Sequence, residues 1–219
     1  VNEQQRKILA VASRVVGYPE DTFSSERQIL LQAIHEEVEQ EELKHKLVQA
    51  LEPLYALSLQ ELQEQYVQTF DWKEKTGLYL TAHELGDSRD RGAALILLQH
   101  IIADAGYEPA AGELADYIPA LYELIAVAPD NVHLKALQRR LAVATNRIAG
   151  LLSEEHPYAP IFHMVLDDVL GKPSAEDIQK LDQSREQTDL EDMPYPILYG
   201  MDGMAKTDNA PLPHMKMCK

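Results

Sequence analysis

Apolar residues recur at intervals of three and four along almost the whole of this chain, and no convincing stretch alternates with a period of two. Positions three and four apart share one face of a helix, so the pattern confines the fold class to all-α. Ile8, Val11, Ala12 and Val15 line a first helix that Gly17-Tyr18-Pro19 should end, and Thr22 or Ser24 opens a second. From Glu36 to Leu51 an acidic amphipathic helix is expected, with Val38, Leu43, Leu47 and Leu51 inward and Pro53 stopping it or beginning a new turn. Ser58, with Glu61 in the capping-box position, starts the helix that carries Leu62, Tyr66 and Phe70.

After an irregular stretch from Asp71 to Gly86, Asp87 or Ser88 should begin a strongly apolar helix. Its face is Ala94, Leu95, Leu98, Ile101, Ile102 and Ala105, and Gly106 ends it. Glu113 to Ala128 follows as helix, kinked at Pro119 or with Pro119 in the first turn of its longer half. Asn131 to Leu152 makes a long helix. Pro157 and Pro160 introduce another, closed by Gly171-Lys172-Pro173, and Ser174 caps a last helix that fades near Gln187. The expected architecture is a single-domain helical bundle over residues 1–187. An extended or mobile tail is expected over 188–219, where five of the six methionines and four of the twelve prolines gather without helical period.

Composition narrows the function. A net charge of −16, from 20 Lys and Arg against 36 Asp and Glu, disfavours nucleic acid, whose phosphates need a basic footprint, and suits a partly basic partner. It also suits plain solubility. No apolar run reaches the roughly 18 residues of a membrane-spanning helix. Nor does the N-terminal sequence show the basic, apolar and small-residue pattern of a secretory signal. The expected location is the cytoplasm, without stable membrane association. The lone cysteine, Cys218, excludes an intrachain disulfide framework. No nucleophile elbow, dinucleotide fingerprint or phosphate loop is present, so no enzyme is expected.

Ionisable groups concentrate between Tyr66 and Leu95, where His83, Asp87, Arg89, Asp90 and Arg91 crowd a turn at Gly86. Such groups beside apolar ones are costly unless they pair, so the cluster is either a structural knot or a binding site. His83 and Asp87, four apart, would share a face if the chain between them were helical, giving a structural hydrogen bond or an acid-base or metal pair. Asp87 and Asp90 suit a helix start, while Arg89 and Arg91 can clamp a carboxylate of another segment or of a ligand. Tyr66 and Phe70 read as core and Trp72 as exposed. The tail residues His214, Met215, Met217 and Cys218 form a soft donor set that a cuprous ion would accept, but a chance gathering at a chain end, or methionines docking into an apolar groove, is the favoured reading.

The segment LYLTAHELGDSRDRGAAL, Leu78 to Leu95, closely resembles a signature of the delta-subunit assembly chaperones of respiratory nitrate reductase, the NarJ type, within the redox-enzyme maturation (TorD-like) chaperones. YVQTFD at Tyr66 to Asp71 is similar to the Y-x-x-x-F-D element of that family, and GELADYIPALYELIA from Gly112 to its second signature. The resemblance implies an all-helical, non-catalytic chaperone. It would bind the N-terminal segment of the apo catalytic (alpha) subunit and promote insertion of molybdopterin guanine dinucleotide before membrane attachment, holding no cofactor stably itself. Carried over by position, it implies a partner-binding set of Tyr66, Phe70, Asp71, His83, Asp87, Ser88, Arg89, Arg91, Glu113, Asp116, Tyr117 and Pro119, and no metal or catalytic residue. The competing readings are a cofactor- or nucleotide-binding maturation factor, with Arg89 and Arg91 on phosphates, and a soft-metal carrier using the tail.

Overall fold

The structure, a computed structural model, describes residues 1–180; the expected tail over 188–219, the end of the last helix near Gln187 and the set His214, Met215, Met217 and Cys218 lie outside the described residues. Along the chain run α1 (Glu3–Val15), α2 (Phe23–Glu37), α3 (Glu41–Tyr55), α4 (Leu59–Tyr66), α5 (Leu80–Leu85), α6 (Arg91–Asp104), α7 (Ile118–Val127), α8 (Val132–Leu151) and α9 (Ala159–Met164). π-helical turns at Val67–Asp71 and Val165–Leu170 extend α4 and α9. Among the described residues there is no strand, only an isolated antiparallel bridge between Tyr79 and Tyr117. The all-α expectation holds. No described helix is long and apolar enough to cross a membrane.

Local chemistry sets the helix starts. Asn2 and Gln5 form a reciprocal capping box on α1, and Ser58 and Glu61 form the expected one on α4. The Asn131 carboxamide accepts the Leu134 amide at 2.9 Å to open α8. At the other end of α7, the Arg6 guanidinium from α1 donates to the carbonyls of Ala126 and Ala128, both at 2.8 Å. A cation there satisfies orphan acceptors and complements the negative end of the helix. α1 and α7 accordingly pack along one another, and α8, α9 and the turn at Val165–Leu170 close the core beside them.

That core holds Leu9, Leu47, Leu51, Leu54, Ile118, Leu141 and the fully buried rings of Tyr122, Tyr158 and Phe162. Tyr122 finds a partner for its hydroxyl in Thr145, 2.6 Å away on α8. Without that bond the buried oxygen would cost on the order of 1–3 kcal/mol.

Several boundaries differ from expectation, and α5 forms within the stretch Asp71 to Gly86 expected to be irregular. The helix expected over Glu36 to Leu51 is cut at residues 38–40, where Val38 takes an extended conformation and turns its side chain inward, 3% exposed. Pro53 neither stops α3 nor begins a new turn but lies in its last turn. Gln49, four residues earlier, sits on the exposed side, where water can take the bond that Pro53 has no amide to make. Pro119 occupies the first turn of a shorter helix, the second of the two expected placements, because residues 113–117 are not helical and end in a turn at 115–116 and the bridge at Tyr117.

Candidate functional site

α4 carries Tyr66 into the π-helical turn, whose wider spacing holds Tyr66 and Phe70 edge to face with ring centroids 5.1 Å apart. Phe70 also meets Tyr158 at 5.0 Å and Phe162 at 5.9 Å, so both motif aromatics belong to the core, as the sequence suggested. Asp71 and Trp72 follow at once on the surface, Trp72 77% exposed. A single short segment therefore anchors inward and presents outward.

The chain then returns through Leu78–Tyr79 and pairs with the second motif. The Leu80 amide donates to the Asp116 carbonyl and the Ile118 amide to the Leu78 carbonyl, each at 2.8 Å, and the rings of Tyr79 and Tyr117 lie 5.6 Å apart. Tyr117 and Tyr66 bring their hydroxyl oxygens to 3.4 Å. Burial pushes both hydroxyls above their ordinary range, so the pair remains neutral and can share a proton donor. Tyr79 is raised too, first by burial and then by the carboxylates of Glu113, Asp116 and Asp71, which places acids of both motifs within electrostatic reach of one ring.

Asp116 is fully buried, and its Oδ2 is the focus of a knot. It accepts the Thr81 amide at 3.2 Å, the Thr81 hydroxyl in a very short contact, and Arg91 Nη2 at 3.5 Å, while Arg91 Nε donates to the Thr81 hydroxyl at 2.9 Å. Arg91 thus ties the start of α6 to α5 and to the approach to α7. A second tie crosses nearby: Arg140 of α8 grips Glu84 of α5 through two bonds of 2.6 and 2.7 Å.

His83 is fully buried in α5, and its Nε2 lies 2.6 Å from the Gly77 carbonyl, which can only accept, so that nitrogen carries the proton. Gly86 ends α5 with φ 56° and ψ −135°, a conformation that favours glycine, and Asp87 falls beyond it on the surface. The helical spacing that would have set His83 and Asp87 on one face is therefore broken. Ser88, half-buried, accepts the Asp90 amide at 3.2 Å. The turn it makes delays α6 to Arg91, three residues beyond the later of its two expected starts. Arg89 and Asp90 are exposed, Glu113 is half-buried with its carboxylate on the Leu114 amide, and Pro119 is buried.

The structure thus brings the two motifs into one unit and divides their residues. Tyr66, Phe70, His83, Asp116 and Pro119 are buried, and Ser88, Arg91, Glu113 and Tyr117 are half-buried; Asp71, Asp87 and Arg89 face solvent. Sequence reasoning missed Thr81 and the Glu84–Arg140 pair, which only chain folding brings together. It also missed that Ile96 and Leu97 of α6 stand 57% and 56% exposed. The apolar run around that helix signals a need for neighbours but not which side lacks them. Among the described residues, no group of three or more His, Cys, Asp and Glu side chains is placed to hold a metal ion.

The description nitrate reductase delta subunit belongs to the family model that matches residues 32–163, more than half of the chain and all of both motifs. The chain is 28% identical over 167 residues to the probable nitrate reductase molybdenum cofactor assembly chaperone NarJ of Bacillus subtilis (strain 168), covering 76% of this chain and 90% of that protein. It is 29% identical over 159 residues to the nitrate reductase molybdenum cofactor assembly chaperone NarJ of Escherichia coli (strain K12), covering 72% and 67%. With the probable assembly chaperone NarW of the same strain it shares 25% over 184 residues, 84% and 77% of the two chains. These relatives carry the names of chaperones rather than of catalysts. By the extent of its match, the chain belongs to the nitrate reductase delta subunit family.

Proposed function

We propose that this protein is a dedicated assembly chaperone for a respiratory nitrate reductase. In this reading it binds the N-terminal segment of the apo catalytic subunit and holds that subunit competent to receive molybdopterin guanine dinucleotide before the enzyme attaches to the membrane. The observation that carries the reading is the division within the motif unit. Its polar residues knot α5, α6 and the approach to α7 together, while Ile96 and Leu97 on α6, and separately Trp72 after the first motif, remain in water. A surface of that kind binds protein segments: apolar anchors supply affinity, and an acidic chain of net charge −16 steers a basic segment toward them. Arg91 is held by Thr81 and Asp116, which leaves Arg89 without it as a phosphate clamp and weighs against the nucleotide-binding alternative.

Calorimetric titration with a synthetic peptide of the alpha-subunit N-terminal segment tests the reading, with saturable one-to-one binding expected. Loss of nitrate reductase activity in a strain lacking this chain, restored by its return, is the cellular counterpart. A protein that leaves the peptide unbound and whose deletion leaves the reductase fully active is not this chaperone.

A further inference from the structure

α6 is apolar on every side from Ala93 to Leu98. A helix of that kind is ordinarily enclosed by neighbours. Here Leu98, Ile101 and Ile102 face the core, whereas Ile96 and Leu97 project outward more than half exposed. Ala93, Leu97, His100 and Asp104 follow one another at spacings of three and four and are all exposed, so they form one continuous outer face. That face changes character along its length. It is aliphatic through its first half and ends at Asp104, with exposed Glu108 just beyond, at the end of the helix where free carbonyls add partial negative charge.

We propose that the outer face of α6 is the seat of an amphipathic helix from the client, with aliphatic side chains over Ile96 and Leu97 and a lysine or arginine against Asp104 and Glu108. This rests on the chaperone reading above and gives that reading a location and a polarity. Charge selects the occupant. A second copy would bring the same net charge of −16 to the contact, whereas a basic client segment brings the opposite sign. The neighbouring knot supplies the support, because Arg91 fixes the first residue of α6 to α5 and to the approach to α7.

The test is calorimetric titration of the full chain with the same alpha-subunit peptide in four forms: wild type, Ile96→Gln with Leu97→Gln, Asp104→Lys with Glu108→Lys, and Ile29→Gln as a control on α2, where Ile29 is 66% exposed. Loss of the two aliphatic anchors is expected to weaken binding about tenfold or more. Reversing the two carboxylates is expected to weaken it several-fold, an effect that fades as salt screens the contact. The control should bind as wild type does. All substituted positions are exposed, and circular dichroism melting should confirm unchanged folding. If wild type fails to bind, the chaperone reading falls. If wild type binds and the glutamine pair binds equally well, the seat is elsewhere and only this inference falls. Sedimentation that shows a wild-type dimer converted to a monomer by the glutamine pair would assign the face to a second copy and overturn the proposal.

Discussion

Arg89 and Arg91 stand two residues apart in the same motif, yet they belong to different regions of the molecule. Arg91 reaches inward to Thr81 and fully buried Asp116, while Arg89 stays exposed in the turn before α6. The same division separates the knot between α5 and α7 from the outer face of α6 that begins beside it. One region is polar and buried, its charges paired; the other is apolar and exposed. Protein folding normally produces the reverse arrangement, and each inversion needs its own explanation. The knot is explained by what it joins, since a carboxylate with paired donors can cross-tie segments that an apolar contact would leave free to slide. The exposed face has no such internal explanation, and a partner supplies one.

Asp116 is where the buried, polar region is most vulnerable. Asp116→Ala removes the acceptor for Thr81 and leaves the Arg91 guanidinium partly buried without its counter-charge, so a loss of about 3–4 kcal/mol is expected from urea unfolding. A change within the ~0.5 kcal/mol ordinary for surface substitutions would show that the knot does not hold the fold. Arg91→Ala is milder, about 2 kcal/mol, because Asp116 keeps its bonds to Thr81. Arg89→Ala sharpens the contrast, with stability unchanged within about 0.5 kcal/mol. Peptide titration on the same samples then separates roles. If Arg89→Ala alters affinity at unchanged stability, the residue faces the client; equal losses of stability in both variants would erase the distinction between the two regions.

The sequence made the fold class legible because buried faces must repeat with the helix, and the capping box at Ser58 and Glu61 was legible because it is local. The break at 38–40 was not, since neither glycine nor proline marks it; the turn follows from burying Val38 against the rest of the core. Partner choice in the site was equally hidden. Arg91 to Asp116 and Arg140 to Glu84 join residues far apart in the chain, and nothing in the motif itself distinguishes Arg91 from Arg89. The burial of Tyr66 and Phe70 and the exposure of Trp72 could be read from their neighbours. The exposure of Ile96 and Leu97 could not, because an apolar run says that a helix wants company without saying which side lacks it.

A titratable contact on the knotted side gives the smallest effect and the finest test. The Thr69 hydroxyl donates to the Gln65 carbonyl at 2.6 Å, so it accepts from His156, whose Nε2 lies 2.9 Å away and carries the proton. His156 Nδ1 in turn accepts the Tyr158 amide at 3.3 Å, which fixes the neutral ring between the π-helical turn after Tyr66 and the start of α9. Burial, and then the charge of Lys73, hold its pKa below the ordinary value. The unfolded chain therefore takes up this proton first as pH falls. The contribution is fully present above about pH 6.5 and is lost progressively below it, until the folded protein also becomes protonated. Urea midpoints between pH 7.5 and 5 should show the wild type losing more stability than His156→Gln, with parallel curves above pH 7. Identical slopes throughout would mean that the ring does not hold the π-helical turn in place, and that the tied region around Tyr66 depends on aromatic packing alone.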